Sequence, residues 1–165
     1  MDNKLKEVKK SLPFERTVVF VKPDGIQRGL VGDVISRFEK KGLKLIGLKM
    51  MTVSDALVRD HYSHHVDKPF FKSLSKFITS SPIVVMVWEG VEAVEAVRII
   101  CGSTSSRKAD AGTIRGDLGM GFTSNVVHAS DSVENVEKEI KRFFKDDELF
   151  DYDKTEYLHI YYPEI

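Results

Sequence analysis

Apolar runs of strand length alternate with segments of helical periodicity along most of this 165-residue chain, and this alternation limits the folds that it can adopt. The predicted strands cover residues 16–21, 43–51, 83–88 and 125–128. The predicted helices cover residues 30–41, 54–62, 69–77, 91–100 and 132–144. The order β-α-β-α-α-β-α-loop-β-α fits either a parallel α/β sheet or a βαββαβ sandwich, and periodicity alone does not separate the two.

The connections between these elements carry most of the polar residues that could do chemistry. Residues 22–25, Lys-Pro-Asp-Gly, predict a polar turn after the first strand. Residues 102–124 predict a long loop, and loops of this length inside a compact domain are mostly functional or disordered. Because this loop leads directly into the last strand, which ends in a histidine, we interpret it as functional.

His128 stands at the junction between the last strand and the last helix. The apolar pair 126–127 precedes it, good N-cap residues follow at 130–132, and Asp131 and Glu134 have the spacing of a capping box. A helix N-terminus offers free N–H groups and positive dipole, which suit phosphate and disfavour imidazolium. A neutral imidazole beside phosphate is a nucleophile. The alternative is a structural histidine that closes a strand.

Composition and charge argue against several classes of protein. The 25 Lys and Arg residues balance the 25 Asp and Glu residues, so we expect neither nucleic acid nor a membrane as the primary partner. The single cysteine, Cys101, excludes an internal disulfide, and no Cys/His grouping has zinc spacing. Without a long apolar run or a signal peptide, a cytoplasmic location is expected. Residues 1–14 are predicted to be an N-terminal extension and residues 15–165 a single domain.

Several polar residues at predicted strand ends or in loops together suggest a phosphate-binding site. They are Lys22, Tyr62, Arg98, Thr104, Arg115, Asn125 and His128. Lys supplies a point charge, Arg a bidentate fork, and Thr and Asn supply hydrogen bonds to a polyphosphate. Taken one at a time, each could be a solvated turn or helix residue. The chain has neither a Walker-type phosphate loop nor the loops of protein kinases.

Eight short segments have distinctive sequences in a fixed order. They are 15–17 (Glu-Arg-Thr), 21–25 (Val-Lys-Pro-Asp-Gly), 27–32 (Gln-Arg-Gly-Leu-Val-Gly), 61–62 (His-Tyr), 68–71 (Lys-Pro-Phe-Phe), 87–90 (Val-Trp-Glu-Gly), 112–117 (Gly-Thr-Ile-Arg-Gly-Asp) and 125–132 (Asn-Val-Val-His-Ala-Ser-Asp-Ser). In this order and spacing the chain closely resembles the nucleoside diphosphate kinases, from about residue 15 to about residue 145.

The resemblance implies both a fold and a reaction. The fold is α+β, a ferredoxin-like βαββαβ sandwich with a four-stranded antiparallel sheet covered by helices. The reaction is ping-pong transfer of the γ-phosphate of a nucleoside triphosphate, typically ATP, to a nucleoside diphosphate such as GDP. The resemblance also implies Mg²⁺ held by phosphates and water with no dedicated protein ligand, and a homo-oligomer, with a hexamer favoured over a tetramer.

The resemblance implies a role for each matching residue. His128 would be the nucleophile through Nδ1, with its other nitrogen oriented by Glu139 and this pair supported by Ser130. The remaining roles are phosphate transfer for Lys22 and Tyr62, phosphate-chain binding for Arg98, Thr104 and Arg115, a sugar contact for Asn125, and base stacking for Phe70.

The chain departs from the family pattern at a few positions. Ser105 and Ser106 stand where the family usually has Asn-Pro, which predicts a freer loop. Ala129 stands where glycine is usual. Phe122 replaces a smaller aliphatic residue that faces the base, and either a second stacking wall or a narrower slot would result.

A non-catalytic module that binds nucleic acid or a regulatory nucleotide is the competing function. Binding alone would not require His128 together with Glu139. The zero net charge also opposes a strong nucleic-acid role. We therefore favour the enzyme.

Overall fold

The computed structural model describes residues 10–161, in which four strands form one antiparallel sheet. The strands are β1 (Phe14–Val21), β2 (Lys44–Met51), β3 (Ile83–Val91) and β4 (Val127–Ala129). Their spatial order is β2-β3-β1-β4, and each neighbouring pair is antiparallel. This topology excludes the parallel α/β alternative and confirms the α+β fold.

Helices connect the strands, and further helices come after the last strand in the chain. They are α1 (Pro23–Gln27), α2 (Val31–Lys41), α3 (Asp55–His61), α4 (Phe71–Ile78), α5 (Ala93–Cys101), α6 (Ile114–Leu118), α7 (Val133–Phe143) and α8 (Tyr157–Ile160). Two predicted helix ends are confirmed in detail. Ser54 caps α3 by accepting a hydrogen bond from the Leu57 N–H, and Gly42 ends α2 in the left-handed conformation that glycine adopts readily.

Both faces of the sheet are buried by helices. Val18 and Phe20 of β1 face one core cluster, with residues of α3, α4 and α7, whereas Val19 and Val21 face the other, with residues of α2, α5 and α6. Successive side chains of a strand point to opposite faces, so a strand covered on both sides is apolar throughout. The predicted sheet with helical cover is therefore confirmed.

Two segments predicted as turn or loop are helical. Pro23 occupies the first position of α1, where its missing N–H costs nothing, so the predicted turn at 22–25 is a helix start. The predicted loop 102–124 contains α6 and a 3₁₀ turn at Ser106–Lys108. Thr113 caps α6 by accepting from the Gly116 N–H at 3.0 Å. Each of these helices is five residues long and contains a glycine, so it is too short to show the periodicity that sequence analysis relies on.

The two ends of the described chain meet on the sheet. β1 begins at Phe14, the last residue of the predicted extension, and residues 1–9 lie outside the described part. Tyr157 of α8 is fully buried, with its ring 5.2 Å from that of Phe14. Among residues 10–161, no helix has both the length and the apolar character needed to cross a bilayer.

Candidate active site

A cavity of about 790 Å³ opens beside the β1–β4 edge and brings the predicted residues together. Nine of the ten predicted site residues line it: Lys22, Tyr62, Phe70, Arg98, Thr104, Arg115, Asn125, His128 and Glu139. The tenth, Ser130, is buried behind the cavity wall. The convergence in space that separates a binding site from scattered surface residues is therefore present.

An unusual backbone turn places Asn125 and His128 on the cavity. Val126 has a φ of 72°, a left-handed conformation that is strained for a β-branched residue. Its N–H donates to the Asp24 carboxylate at 3.0 Å, and its carbonyl accepts from the Lys22 N–H at 2.8 Å. Because of this turn, β4 begins only at Val127, later than the predicted residue 125.

The Lys-Pro-Asp-Gly segment is explained by the same turn. Lys22 ends the β1 region and points into the cavity, while Asp24 holds Val126. A Cβ at Gly25 would lie 2.6 Å from Val21 Cγ1 and 3.1 Å from the Val126 carbonyl oxygen, so only glycine fits without displacement. Close packing of α1 against Val21 of β1 and against the turn at Val126 thus depends on the sequence of this segment.

His128 is held by a chain of polar contacts that begins in β1. The Val18 N–H donates to Ser130 Oγ at 3.0 Å, and Ser130 Oγ donates to Glu139 Oε2 at 2.6 Å. The other carboxylate oxygen of Glu139 lies 3.5 Å from His128 Nε2. Since Nε2 is buried against Glu139, Nδ1 is the ring nitrogen left for the cavity.

The neutral form of the His128 imidazole is favoured for a reason that differs from the predicted one. Burial lowers its pKa, with Lys22 and Arg115 acting in the same direction and Glu139 opposing them. Helix α7 begins where it was predicted to begin, with Ser132 at its cap, but burial rather than the helix dipole accounts for the lower pKa. The predicted capping box is wrong, because Asp131 instead accepts a hydrogen bond from Asn135 Nδ2 at 2.9 Å.

Lys22 and Asn125 form a buried polar pair on the cavity wall. Lys22 Nζ donates to Asn125 Oδ1 at 2.5 Å and to the Thr123 carbonyl at 3.2 Å, and Asn125 Nδ2 donates to the Thr104 carbonyl at 2.8 Å. Burial, with Arg115 assisting, lowers the pKa of Lys22 to about 7. The nearby Asp24 carboxylate acts in the opposite direction but does not offset the burial of this ammonium.

The two predicted arginines differ in how they are fixed. Arg115 donates to the carbonyls of Gly102 at 2.6 Å and Val127 at 2.9 Å, while its buried Nε has no partner within the described residues. Arg98 and Thr104 are exposed at the cavity rim. Their side chains are placed to meet an anion that enters from solvent.

His61 and Arg142 also line the cavity, and sequence analysis did not select them. The ring of His61 meets that of His128 edge-on, with centroids 4.5 Å apart. Burial, with smaller contributions from His128 and Arg142, lowers the pKa of His61 to about 2. His61 Nδ1 lies 3.3 Å from Arg142 Nη1, and Arg142 also pairs with Asp60. His61 could have been selected from the sequence, because the segment 61–62 belongs to the family-like pattern.

His61, His128 and Glu139 form the one group of three potential metal ligands found among residues 10–161, with ligand atoms within 4.8 Å of one another. Cations surround this group, since Arg142 contacts His61 and Lys22 lowers the pKa of both histidines. Positive charge on this side opposes a resident metal ion. The arrangement instead suits an imidazole that acts on an anion.

Two exposed aromatic rings stand at the mouth of the cavity. Phe70 and Phe122 are 49% and 65% exposed, which is unusual for phenylalanine unless a partner covers it. Phe70 precedes α4, and its ring meets His65 at 5.3 Å. The cationic wall and the apolar mouth together match a ligand with an anionic end and a flat apolar end.

The sequence model of the family described as nucleoside diphosphate kinase matches residues 15–149. The chain belongs to this family. A nucleoside diphosphate kinase of Carboxydothermus hydrogenoformans is 54% identical over 142 residues, which cover 86% of this chain and 95% of that protein. One of Pyrococcus abyssi is 54% identical over 145 residues, or 86% of this chain and 91% of the relative.

Solved structures of nucleoside diphosphate kinases have the same fold. The enzyme of Halobacterium salinarum, in complex with CDP, has a TM-score of 0.87 and 49% identity, covering 89% of this chain and 98% of its own. The structure of the Borrelia burgdorferi enzyme, in which bound vanadate and ADP mimic the transition state, has a TM-score of 0.83 and 40% identity. The match covers 90% of this chain and 98% of that chain. The protein is thus a nucleoside diphosphate kinase, an enzyme that phosphorylates nucleoside diphosphates at the expense of nucleoside triphosphates.

Proposed function

We propose that His128 carries the phosphoryl group of this kinase between its two nucleotides. The Nδ1 lone pair attacks the γ-phosphorus, the bond from phosphorus to the β–γ bridging oxygen breaks, and the diphosphate leaves. A second nucleoside diphosphate then attacks with a terminal phosphate oxygen, and the N–P bond breaks. The observation that carries this proposal is the burial of Nε2 against Glu139, which leaves Nδ1 to the cavity.

Glu139 and Ser130 set the state of the nucleophile. With Nε2–H directed at the carboxylate, Nδ1 keeps its lone pair, and the carboxylate stabilises the positive charge that the ring acquires as the N–P bond forms. Ser130 fixes the carboxylate through its 2.6 Å hydrogen bond and is itself fixed by Val18 of β1. Ser130 is therefore a positioning residue.

The cationic wall of the cavity binds the phosphates. Lys22 and Tyr62 lie beside His128 and contact the group in transfer, while Arg98, Thr104 and Arg115 bind the rest of the phosphate chain. Burial raises the pKa of Tyr62, so its hydroxyl stays protonated and can donate.

Asn125 and the mouth of the cavity bind the nucleoside. Asn125 uses one Nδ2 hydrogen and one Oδ1 lone pair within the protein, and the others remain for a sugar hydroxyl. The base stacks on Phe70, and stacking accepts any base because each has a π-face. The CDP and ADP bound by the two structural relatives, a pyrimidine and a purine nucleotide, support broad specificity here.

The donor set of the cavity fits Mg²⁺ that arrives with the nucleotide. The cavity offers mainly cations, imidazoles, hydroxyls and amides, and the carboxylates that line it among the described residues are Asp131 and Glu139. Such a wall provides no cage for a free divalent ion, so phosphate oxygens and water would hold it. When bound, Mg²⁺ neutralises charge on the phosphates.

A homo-oligomer is supported by the apolar surface of the sheet edge. β2 is an outer strand, and its Leu48 and Met50 are 49% and 61% exposed. From the family pattern we propose a hexamer rather than a tetramer, in the cytoplasm, where nucleoside triphosphates are made and used. Sedimentation at the mass of six 18.7 kDa chains would support the hexamer, and the mass of four would contradict it.

Phosphoenzyme labelling tests the reaction directly. The purified protein is incubated with γ-labelled ATP and Mg²⁺, and the label is tested for the acid lability and base stability of a phosphohistidine. GDP is then added, and labelled GTP is measured. His128→Ala is compared with His159→Ala, because His159 is exposed on α8 and does not line the cavity.

The expected result is label on the wild type and on His159→Ala that passes to GDP, with none on His128→Ala. Label that persists on His128→Ala would refute the assigned nucleophile. Absence of label from folded wild-type protein that binds nucleotide would refute the ping-pong reaction and favour a binding module.

A further inference from the structure

Phe20 packs directly on the histidine that the proposed function makes the nucleophile. Phe20 and His128 are partners across the β1–β4 ladder, so their side chains leave the sheet on the same face. Their rings are stacked, with centroids 4.6 Å apart and planes inclined by 16°. Phe20 is 1% exposed and is absent from the cavity lining, so it acts on the reaction through the cavity residues on which it packs, His128 and His61.

The other sides of the His128 ring are also occupied. His61 meets it edge-on at 4.5 Å, with ring planes at 74°, and Glu139 lies 3.5 Å from Nε2. Phe20 in turn contacts His61 at 5.6 Å and Phe143 at 5.9 Å, which fixes the phenyl ring itself. One face of the imidazole thus packs on the Phe20 ring, a second side contacts the His61 ring, and Nε2 lies beside the Glu139 carboxylate.

We propose that Phe20 is a positioning residue for phosphoryl transfer: its ring fixes the rotation of the His128 imidazole so that Nδ1 stays directed into the cavity. The inference rests on the proposed phosphohistidine reaction and assigns to Phe20 a role beyond core packing.

Rotation of the imidazole about χ2 would turn Nδ1 away from the cavity, so the structure must prevent it. The χ2 torsion of histidine is broad, with two nearly equivalent settings, and a half-turn moves Nδ1 to the other side of the ring. A separation of 3.5 Å from Glu139 is long for a hydrogen bond and holds the ring weakly when taken alone. Stacking on Phe20 keeps the ring plane from tilting, which would move Nδ1 off its line of attack and Nε2 away from Glu139, while the contact with Glu139 selects between the two half-turn settings. Loss of alignment by about 1 Å costs about a hundredfold in rate.

The test replaces the phenyl ring while keeping an apolar side chain. Phe20→Leu and Phe20→Met are compared with the wild type and with Phe38→Leu. Phe38 is an equally buried phenylalanine on the opposite face of the sheet, where it packs on Trp88 at a centroid distance of 5.3 Å. Phe38→Leu therefore reports the loss of stability alone.

Three quantities are measured below the melting temperature of every variant. They are the kcat and KM of the full reaction, the single-turnover rates of both half-reactions, and the ¹⁵N shifts of His128 that report its tautomer. Both Phe20 variants should lower kcat by about tenfold to a hundredfold and slow both half-reactions alike, with KM for both nucleotides nearly unchanged. The ¹⁵N shifts should show a mixture of tautomers. Phe38→Leu should lower the melting temperature and leave kcat and the tautomer as in the wild type.

Two outcomes would overturn the inference. Wild-type kcat and a single tautomer in both Phe20 variants would reduce Phe20 to core packing. A kcat that falls in Phe38→Leu as far as in the Phe20 variants would assign the loss to stability. Wild-type protein that takes no label on His128 would instead refute the proposed function, and this inference with it. Labelled wild type with unchanged transfer in the Phe20 variants refutes the inference alone.

Discussion

Replacing Glu139 with glutamine removes the charge behind the nucleophile while keeping the shape of the side chain. Two unit charges 3.5 Å apart interact by about 5 kcal/mol at an effective dielectric constant of about 20. If the imidazole carries half a charge in the transition state, Glu139→Gln loses about 2.4 kcal/mol, and kcat falls by about 55-fold. A fully charged ring would raise the loss to about 3,000-fold.

The hydrogen bonds around Glu139 allow this variant to fold. A glutamine oxygen can still accept from His128 Nε2, while the new amide donates to Ser130 Oγ. The Ser130 hydroxyl can then turn to the Val18 carbonyl, which lies 3.3 Å away. No buried polar group that is paired in the wild type loses its partner, so the measured loss reports charge rather than damage to the core.

The assay measures the rate of His128 phosphorylation by γ-labelled ATP in a single turnover, with kcat and KM from the complete reaction. Glu137→Gln is the control, since Glu137 is an exposed residue of the same helix and does not line the cavity. KM should change little because Glu139 does not contact the nucleotide. A phosphorylation rate for Glu139→Gln within about threefold of the wild type would refute electrostatic support of the ring by this carboxylate.

Further predictions concern charge, base recognition and packing. Because the pKa of Lys22 is about 7, its charged form is lost as the pH rises above 7, so kcat/KM should fall tenfold per pH unit in alkaline solution. Lys22→Met should lower kcat/KM and flatten this pH dependence. An unchanged slope in Lys22→Met would exclude Lys22 as the titrating group. Phe122→Val should raise KM for the diphosphate by about fivefold or more if Phe122 stacks on the base, whereas a lower KM would identify a narrowed slot. Gly25→Ala should destabilise the protein by about 1–3 kcal/mol, since its Cβ would lie 2.6 Å from Val21 Cγ1; calorimetry that finds the wild-type melting temperature would show that the contact relaxes freely.

Sequence patterns predicted the elements that have a strong period and missed those that depend on tertiary contacts. β1 and α2 follow from an apolar run and from helical spacing that ends at Gly42. β3 extends to Val91, beyond its predicted end at Trp88, because pairing with β1 outweighs the polar Glu89 and the flexible Gly90. A partner strand that is distant in the chain leaves no signal in the local sequence pattern.

The candidate site was predicted residue by residue because the family pattern supplies positions that periodicity does not. The left-handed Val126 could not be predicted, since β-branched residues avoid this conformation and only the contacts with Asp24 and Lys22 hold it. In the sequence, Phe20 looks like any other apolar residue of a buried strand, so its role could not be predicted. Its position opposite His128 follows from the β1–β4 register, which no sequence pattern specified.

The free enzyme holds more positive charge around the cavity than its own residues neutralise. Burial depresses the pKa of Lys22 and of Arg115, and the buried Arg115 Nε has no partner within the described residues. Groups in this state are destabilised until an anion arrives, because desolvation disfavours a charge that lacks an opposite charge nearby. A bound polyphosphate removes this deficit at several residues at once. Burial, assisted by the same charges, lowers the pKa of His128 and so favours its neutral, nucleophilic form; one arrangement both attracts the phosphate chain and prepares the ring that receives its terminal group.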